Sequence, residues 1–572
     1  MQTHAQSVSR VIADHGTTHV FTLMGDGNMH LVLALADAGV EIVEVRHESA
    51  AVAMAEGYGW SSGRVGICSV THGPGLSHTA TSLLVAARNR SPLVLLAGET
   101  PTGYRGAQRF DQRRLVEACE AGYRAVTARE DAGAVVAAAI AEAARDRRPV
   151  VVGIPADLIE ADVKAPAVPA PDGVPAGVPD PAPAALVDDA ANRAAAARLR
   201  EELRHAARPV LLAGRGVTAG DAAALVTELA ELTGAALATT LPAKGLFDGH
   251  PLDLGIAGGL SHPDAEPVFR DADLVLALGS SAGASTTRSG TLFPDARLVR
   301  LDVLPAPGAE TAPDDAPVRG EVRATLTLLL DALRDEAPAR PWFRPARALP
   351  ECWSDELAGY APEPAPGTVD PRHAVLALDP LLPDDAVIVV SNGHCSGFAS
   401  ALLRAAAPRS FHLAQGFGSI GQGLTTAVGV ALGAPERHVV LVEGDAGFMM
   451  HAQDLDTAAR AGAHLTTFVL NDEALGTEYH RLGPGPGRGD LAVVPTPGIA
   501  GIATAMGAVG RLVTDLAELP DAARDALAAR TAVVEIRTAR AVRSRHLRWR
   551  QIPVPAGIGR RTPATGGDTR AR

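Results

Sequence analysis

Residues 439–478 read VVLVEGDAGFMMHAQDLDTAARAGAHLTTFVLNDEALGTE. Val439 to Glu443 form an apolar run that ends in a tight Gly444-Asp445-Ala446-Gly447 turn. Helix-period residues follow from about Met449 to Ala463, and a second apolar run, Leu465 to Leu470, ends in Asn471-Asp472-Glu473. Strand, turn, helix and strand in that order make a βαβ unit with neighbouring parallel strands. Both acidic clusters then fall at carboxyl ends of strands, where open α/β sheets bind ligands. Two hard oxygen donors at one sheet edge suit Mg²⁺, which takes one or two carboxylates plus phosphate oxygens. The stretch predicts a metal–diphosphate site.

The rest of the chain is long enough to build a sizeable protein around that site. Its 572 residues suggest more than one domain, and 47% apolar with 20% charged residues allows large cores. A net charge of −13 argues against a nucleic-acid or anionic-membrane partner. Cys68, Cys119, Cys352 and Cys395 show no C-x-x-C spacing, so neither a zinc site nor a disulfide framework is signalled. No apolar signal core stands at the N-terminus, and no apolar run approaches the roughly 18 residues of a membrane span. A cytoplasmic protein is expected.

Two Pro/Ala-rich stretches divide the chain, the first unable to hold a helix or a central strand. The expected organisation is a domain over 1–165, a linker over 166–188, a central domain over 189–335, a linker over 336–369, and a third domain over 370–540. A basic, partly disordered tail over 541–572 follows. Within each block apolar runs alternate with small-residue helices, which predicts α/β architecture in three consecutive doubly wound parallel-sheet domains. In the central block, Gly214-Arg215-Gly216 lacks the third glycine of a dinucleotide fingerprint and reads as a plain strand-to-helix turn.

Glu48 stands where the run Glu41–Val45 turns into the Ala-rich stretch Ser49–Tyr58. A carboxyl there is either desolvated, raised in pKa and fit to share a proton with a ring nitrogen, or a helix-terminal carboxylate favoured by the dipole. The residues alone leave both readings open. Arg46-His47-Glu48 with the small residues up to Gly57-Tyr58, then Gly73-Pro74-Gly75, Gly444-Asp445 and Asn471-Asp472, resembles the thiamine-diphosphate-dependent enzymes. Within them the chain is similar to the acetolactate synthase-like group of 2-oxo acid decarboxylases and carboligases. The likeness runs from about Val8 to Arg537 and includes Thr239 to Gly245 in the central block.

That resemblance implies pyrimidine-binding, central and diphosphate-binding domains, in that order. It implies that Glu48 holds the N1′ nitrogen of the aminopyrimidine and so promotes loss of the thiazolium C2 proton. Gly418-Ser419-Ile420 would form the cofactor bend, with the Gly418 carbonyl accepting from the 4′-amino group and Ile420 wedged between the rings. Pro74, Gly393, His394, Gly444, Ala446 and Gly447 would line the cofactor. Asp445, Asp472 and the Ala474 carbonyl would hold Mg²⁺, with Asn471 the ligand if the register were off by one. Gln108, His72 and His78 would lie near the reacting carbons, the imidazoles as proton shuttles or carboxylate binders. The partners implied are a small 2-oxo acid and a carbonyl acceptor, in a homodimer or tetramer whose sites form between chains.

Departures narrow the expectation. The usual glycine after the first aspartate is Ala446, and Asp472 replaces the usual asparagine. Where true acetolactate synthases carry a flavin-associated Arg-Phe-Asp-Asp-Arg run, this chain has Gly279 to Ser285, which argues against FAD. Thr477-Glu478-Tyr479-His480 replaces their Gln-Trp-Gln signature. The function expected is decarboxylation of a 2-oxo acid with carboligation. The alternatives are a non-ligating decarboxylase or C–C lyase releasing an aldehyde, and a catalytically idle cofactor-binding protein.

Overall fold

The computed structural model describes residues 2–163, 187–303, 316–344, 351–353, 357, 364–405, 409–414, 416–483 and 488–548. Residues 166–186 of the expected 166–188 linker, Gln415, parts of the second linker and the tail from 549 lie outside the described residues.

Three six-stranded sheets carry the fold, and every strand pair in them is parallel. The first runs Glu41–Glu44, His19–Leu23, Gly66–Val70, Leu93–Glu99, Pro149–Pro155, Gly122–Ala125 in spatial order. The second runs Ala316–Arg319, Arg297–Asp302, Leu274–Leu278, Pro209–Ala213, Ala236–Thr239, Asp253–Ile256. The third runs Phe411–Leu413, Val387–Val390, Val439–Gly444, Leu465–Asn471, Thr531–Arg537, Val509–Val513. Central strands such as Val387–Val390 and Leu274–Leu278 are wholly buried, as parallel sheets covered on both faces require.

Five of these strands are absent from the sequence reading, namely Gly122–Ala125, Asp253–Ile256, Ala316–Arg319, Phe411–Leu413 and Val509–Val513. All five are sheet edges. A second correction concerns the helix expected over 449–463. It is two helices, Asp445–Met450 and Asp454–Arg460, broken at His451. Gly444, extended at φ −89° and ψ 155°, caps the first, so the helix starts inside the expected turn. The Gly214 turn is a plain one, because Gly214 and Gly216 pack against Gly279.

The helix Glu48–Ser62 organises the approach of the first sheet to the third. Residues 48–59 are all buried, so this helix is covered on every side. It packs on the helix Gly423–Gly433, and glycines set the distance: a Cβ on Gly57 would strike the Thr426 carbonyl, one on Gly429 the Met54 backbone, one on Gly433 the Tyr58 backbone. From Met54–Gly429 to Tyr58–Gly433 both partners advance by four residues, so the two helices run parallel. Glu48 therefore lies at the same end as Gln422 and Gly423. The Trp342 indole anchors the second linker by donating to the Pro209 carbonyl at 3.0 Å.

Overpacking a tight core contact costs about 1–3 kcal/mol. Gly57→Val is therefore expected to lower the melting temperature, whereas Gly501→Ala, in a helix with open space around it, leaves it level or raises it slightly. Differential scanning fluorimetry of the two variants checks this; equal melting temperatures would contradict the glycine-mediated packing.

Candidate functional site

The strand Val439–Gly444 pairs with Leu465–Asn471 in a register that sets Gly444 opposite Leu470. Asp445 and Asp472 thus leave adjacent strands at the same sheet edge. Asp445 is only 3% exposed. Burial pushes its carboxyl up to about 7, and the Asp472 charge adds to the effect. Burial likewise raises Asp472 to about 6. Two desolvated carboxyls at one sheet edge are hard oxygen donors of the kind that suits a divalent cation.

The neighbours hold those carboxyls in place. The Thr496 hydroxyl donates to Asp445 Oδ2 at 2.7 Å. The Ala474 N–H donates to Asp472 Oδ1 at 3.1 Å. The Ser544 N–H donates to His394 Nε2 at 3.0 Å, which leaves the ring proton on Nδ1, 3.4 Å from Asp472 Oδ2. Burial pushes the His394 imidazole down to about 3, so it is neutral. Asn471 is engaged elsewhere: its amide donates to Glu535 at 2.8 Å and its oxygen accepts from the Glu473 N–H. Asn471 is therefore committed to the strand end, and Asp472 presents its carboxyl just beyond it.

Above this edge lies the glycine-spaced segment. Gly393 and Gly418 take φ of 115° and 84°, in the region that favours glycine. Ile420 packs toward Gly393, its Cγ2 3.7 Å from where a Cβ would stand. The Asn392 amide donates to the Gly418 carbonyl, using one of that oxygen's two acceptor positions. A Cβ on Gly447 would come within 2.8 Å of Glu443 Oε1 and 3.4 Å of the Gly421 nitrogen, so a glycine is needed there.

Glu48 reaches the site from the first sheet. It is 8% exposed, and its Oε2 lies 2.9 Å from His78 Nδ1. His47 and His78 stack at 5.0 Å, and the donor atoms of His47, Glu48 and His78 lie within 4.8 Å of one another. The Arg46 N–H donates to Asp454 Oδ1 at 2.9 Å, and Ser49 Oγ lies 3.4 Å from His451 Nε2. Ser82, one helical turn beyond His78, donates to Gln422 at 2.9 Å. A single chain thus joins the elements bearing Glu48 to those bearing Asp445. Pro74 opens the short helix Pro74–Ser77, which ends at His78. Buried His72 lies 3.0 Å from Gln108, on the other side of that turn.

Several contributors escaped sequence reasoning. Asn392 stands directly before Gly393, which was named from sequence, a signal that could have been used. Thr496, His451 and Asp454 carried none. A cavity of about 920 Å³ opens at the far end of helix Glu48–Ser62, among all three sheets. Glu56, Arg215, Lys244 and His412 line it, and Glu48 and Asp445 do not. Burial there pushes Lys244 down to about 7.

Comparison with known proteins agrees with this geometry. Residues 2–118, 196–329 and 391–536 match the thiamine pyrophosphate enzyme N-terminal TPP binding, central and C-terminal TPP binding domains. The chain belongs to the thiamine pyrophosphate enzyme family, as a thiamine-diphosphate-dependent carboligase or decarboxylase. It is 30% identical to the acetolactate synthase large subunit of Mycobacterium tuberculosis, over 83% of this chain and 76% of that one. It is 32% identical to the "probable 2-ketoarginine decarboxylase" of Pseudomonas aeruginosa, over 83% of each. With the sulfoacetaldehyde acetyltransferase of Castellaniella defragrans it shares 28% over 93% of each.

Both aspartate carboxyls hold protons in the fold at a pH where the unfolded chain has lost them. Stability of the metal-free protein therefore falls as pH rises from about 4 to about 7. A divalent cation needs both ionised, so Mg²⁺ with thiamine diphosphate is expected to raise the melting temperature more at pH 7.5 than at pH 5.5. At about 100 times Kd the gain is about 2.7 kcal/mol. Asp472→Ala should lose the Mg²⁺-dependent part and Asn471→Ala should keep it. Thermal denaturation with and without MgCl₂ decides.

Proposed function

We propose that this enzyme decarboxylates a 2-oxo acid and transfers the acyl group that remains to an acceptor carbonyl, with Mg²⁺ and thiamine diphosphate. One observation carries the reading: buried Glu48 opens one of two parallel, glycine-packed helices, and Gly447, two residues past buried Asp445, packs on Gly421 just ahead of the other. When bound, thiamine diphosphate supplies the electron sink for loss of CO₂.

The residues divide the remaining work. Asp445, Asp472 and the Ala474 carbonyl would hold the cation, and the Gly444–Gly447 backbone would line the diphosphate. The Gly418 carbonyl has one acceptor position left for the cofactor's amino group, and Ile420 supplies bulk beside it. Glu48 would hold or share a proton with the aminopyrimidine ring. His78, bonded to the second Glu48 oxygen and half exposed, connects that proton to solvent. Buried His72, through Gln108, orients an amide at the substrate side. His394 keeps Asp472 aimed through its Nδ1 proton. The packed helices keep water from the Glu48 carboxyl.

The non-ligating reading, in which an aldehyde is released, is favoured by the likeness to a relative named as a decarboxylase. Assembly as a homodimer or tetramer is part of the proposal and is read from light scattering of the purified protein.

General acid–base groups contribute about 10²–10⁴-fold. Glu48→Gln is expected to lose at least about 100-fold in turnover while its cofactor dissociation constant stays within a few-fold of wild type. Mass spectrometry of products from pyruvate and a panel of acceptors separates a ligated hydroxy-ketone product from a free aldehyde. Wild-type turnover in Glu48→Gln would reject the assignment.

A further inference from the structure

The loop Pro101–Phe110 joins the strand Leu93–Glu99 to the helix Gln112–Ala118 and passes over the His72–Gly73 turn. It is held at several points. Thr102 donates to Asp157, the Tyr104 N–H donates to the Pro101 carbonyl at 2.9 Å, and the Arg109 N–H donates to the Gly106 carbonyl at 3.2 Å. At its far end Asp111 caps the following helix, and the Gln112 amide donates to the Gly98 carbonyl. Gln108 packs on Gly73, its Cβ 3.2 Å from where a Cβ on Gly73 would stand. The loop is therefore tied to the turn that carries His72 at one end and His78 at the other. The four-residue helix Pro74–Ser77, a rise of roughly 6 Å, lies between those ends.

The chemistry of this loop is one-sided. Gln108 Oε1 faces His72 Nε2, so the imidazole donates and the amide NH₂ of Gln108 is turned outward. Among the described residues that NH₂ has no acceptor. Arg105 and Arg109 flank it, both exposed, and neither guanidinium has an ion-pair partner among the described residues. Other arginines nearby are engaged: Arg113 with Glu117 and the Tyr123 ring, Arg114 with Asp111. The carboxylates at hand are spoken for as well. Asp111 serves as the helix cap, and Asp26 accepts from the Thr71 hydroxyl and lies 3.8 Å from His72. Tyr104 and Phe110 add partly exposed rings to the same loop. An amide NH₂ and two guanidinium forks without acceptors, in a protein of net charge −13, make a local donor surface on the loop that packs over the His72–Gly73 turn.

We propose that Arg105, Arg109 and Gln108 select a 2-oxo acid that carries a second anionic group at its far end, a carboxylate, sulfonate or phosphonate. The inference rests on the decarboxylase reading given under Proposed function. The 2-oxo acid's own carboxylate leaves as CO₂, so it offers these residues nothing to hold after the first step. A distal anion stays on the acyl fragment and keeps it oriented until it is transferred or released. A cationic side chain, such as a guanidinium, is disfavoured by the same pair of charges.

The test uses the holoenzyme with Mg²⁺ and thiamine diphosphate, as wild type, Arg105→Gln/Arg109→Gln and Arg105→Lys/Arg109→Lys. CO₂ release is measured from uncharged donors, pyruvate and 2-oxobutyrate, and from anionic donors, oxaloacetate, 2-oxoglutarate, sulfopyruvate and phosphonopyruvate. The readout is the ratio of kcat/KM for an anionic donor to that for an uncharged one within each protein. The wild-type ratio is expected above about 10 for at least one anion class, and the three classes tell which anion fits. The double Gln variant should drop that ratio about 10- to 100-fold, chiefly through KM, and the double Lys variant should recover part of it. A wild-type ratio at or below one, or a ratio unmoved in the Gln variant, overturns the inference and leaves the decarboxylase reading standing. No CO₂ from any donor while cofactor binds overturns both.

Discussion

Backbone-to-backbone contact between the helices Glu48–Ser62 and Gly423–Gly433 is the constraint on which the site depends. Gly57, Gly429 and Gly433 each sit where a methyl group would strike a main-chain atom of the other helix. Such proximity leaves one register, and the register decides which ends meet. Because the helices run parallel, their first residues share an end. Glu48, which opens one helix, thereby shares an end with the glycine-spaced segment that leads into the other. A side-chain-mediated interface would tolerate slippage of a turn, about 5.4 Å, and would separate the two halves of the site.

The sheet edge bearing the two aspartates follows a different logic. Parallel pairing of Val439–Gly444 with Leu465–Asn471 brings Asp445 and Asp472 together whether or not their charges are compatible. Both carboxyls are raised by burial, which records an electrostatic cost built into the fold. A cation held between them, as proposed above, would remove that cost. The same sheet edge shows why Asn471 and Asp472 have separate duties. Asn471 closes the strand against buried Glu535, and Asp472, one residue on, has left the strand and can point to the edge.

How much of this was legible follows from burial. The central strands announce themselves as apolar runs because parallel strands covered on both faces have no polar side to show. The five strands that sequence reasoning missed are edges. Phe411–Leu413 has three residues, and Val509–Val513 carries exposed Arg511 and Leu512. Short and polar edges are how sheets avoid further pairing, and the same features erase the strand signal. The break at His451 was invisible for a related reason. His451 and Asp454 are buried against Ser49 and Arg46, which lie some 400 positions earlier in the chain, so the local helical pattern was overridden by a distant contact.

The site shows the same division between near and far. Glu48, Asp445, Asp472 and Gly418 could be named because each ends or begins a local element whose chemistry is readable in a few residues. Thr496 on Asp445, Asn392 on the Gly418 carbonyl and Ser544 on His394 could be found only in three dimensions. Each of these holds a group that was named from sequence. His394 illustrates the point: the Ser544 N–H fixes its tautomer, and the remaining proton then faces Asp472. A residue read as lining the cofactor thus acts on the Asp472 carboxyl as well. The chemistry was written locally, and the groups that aim it come from distant parts of the chain.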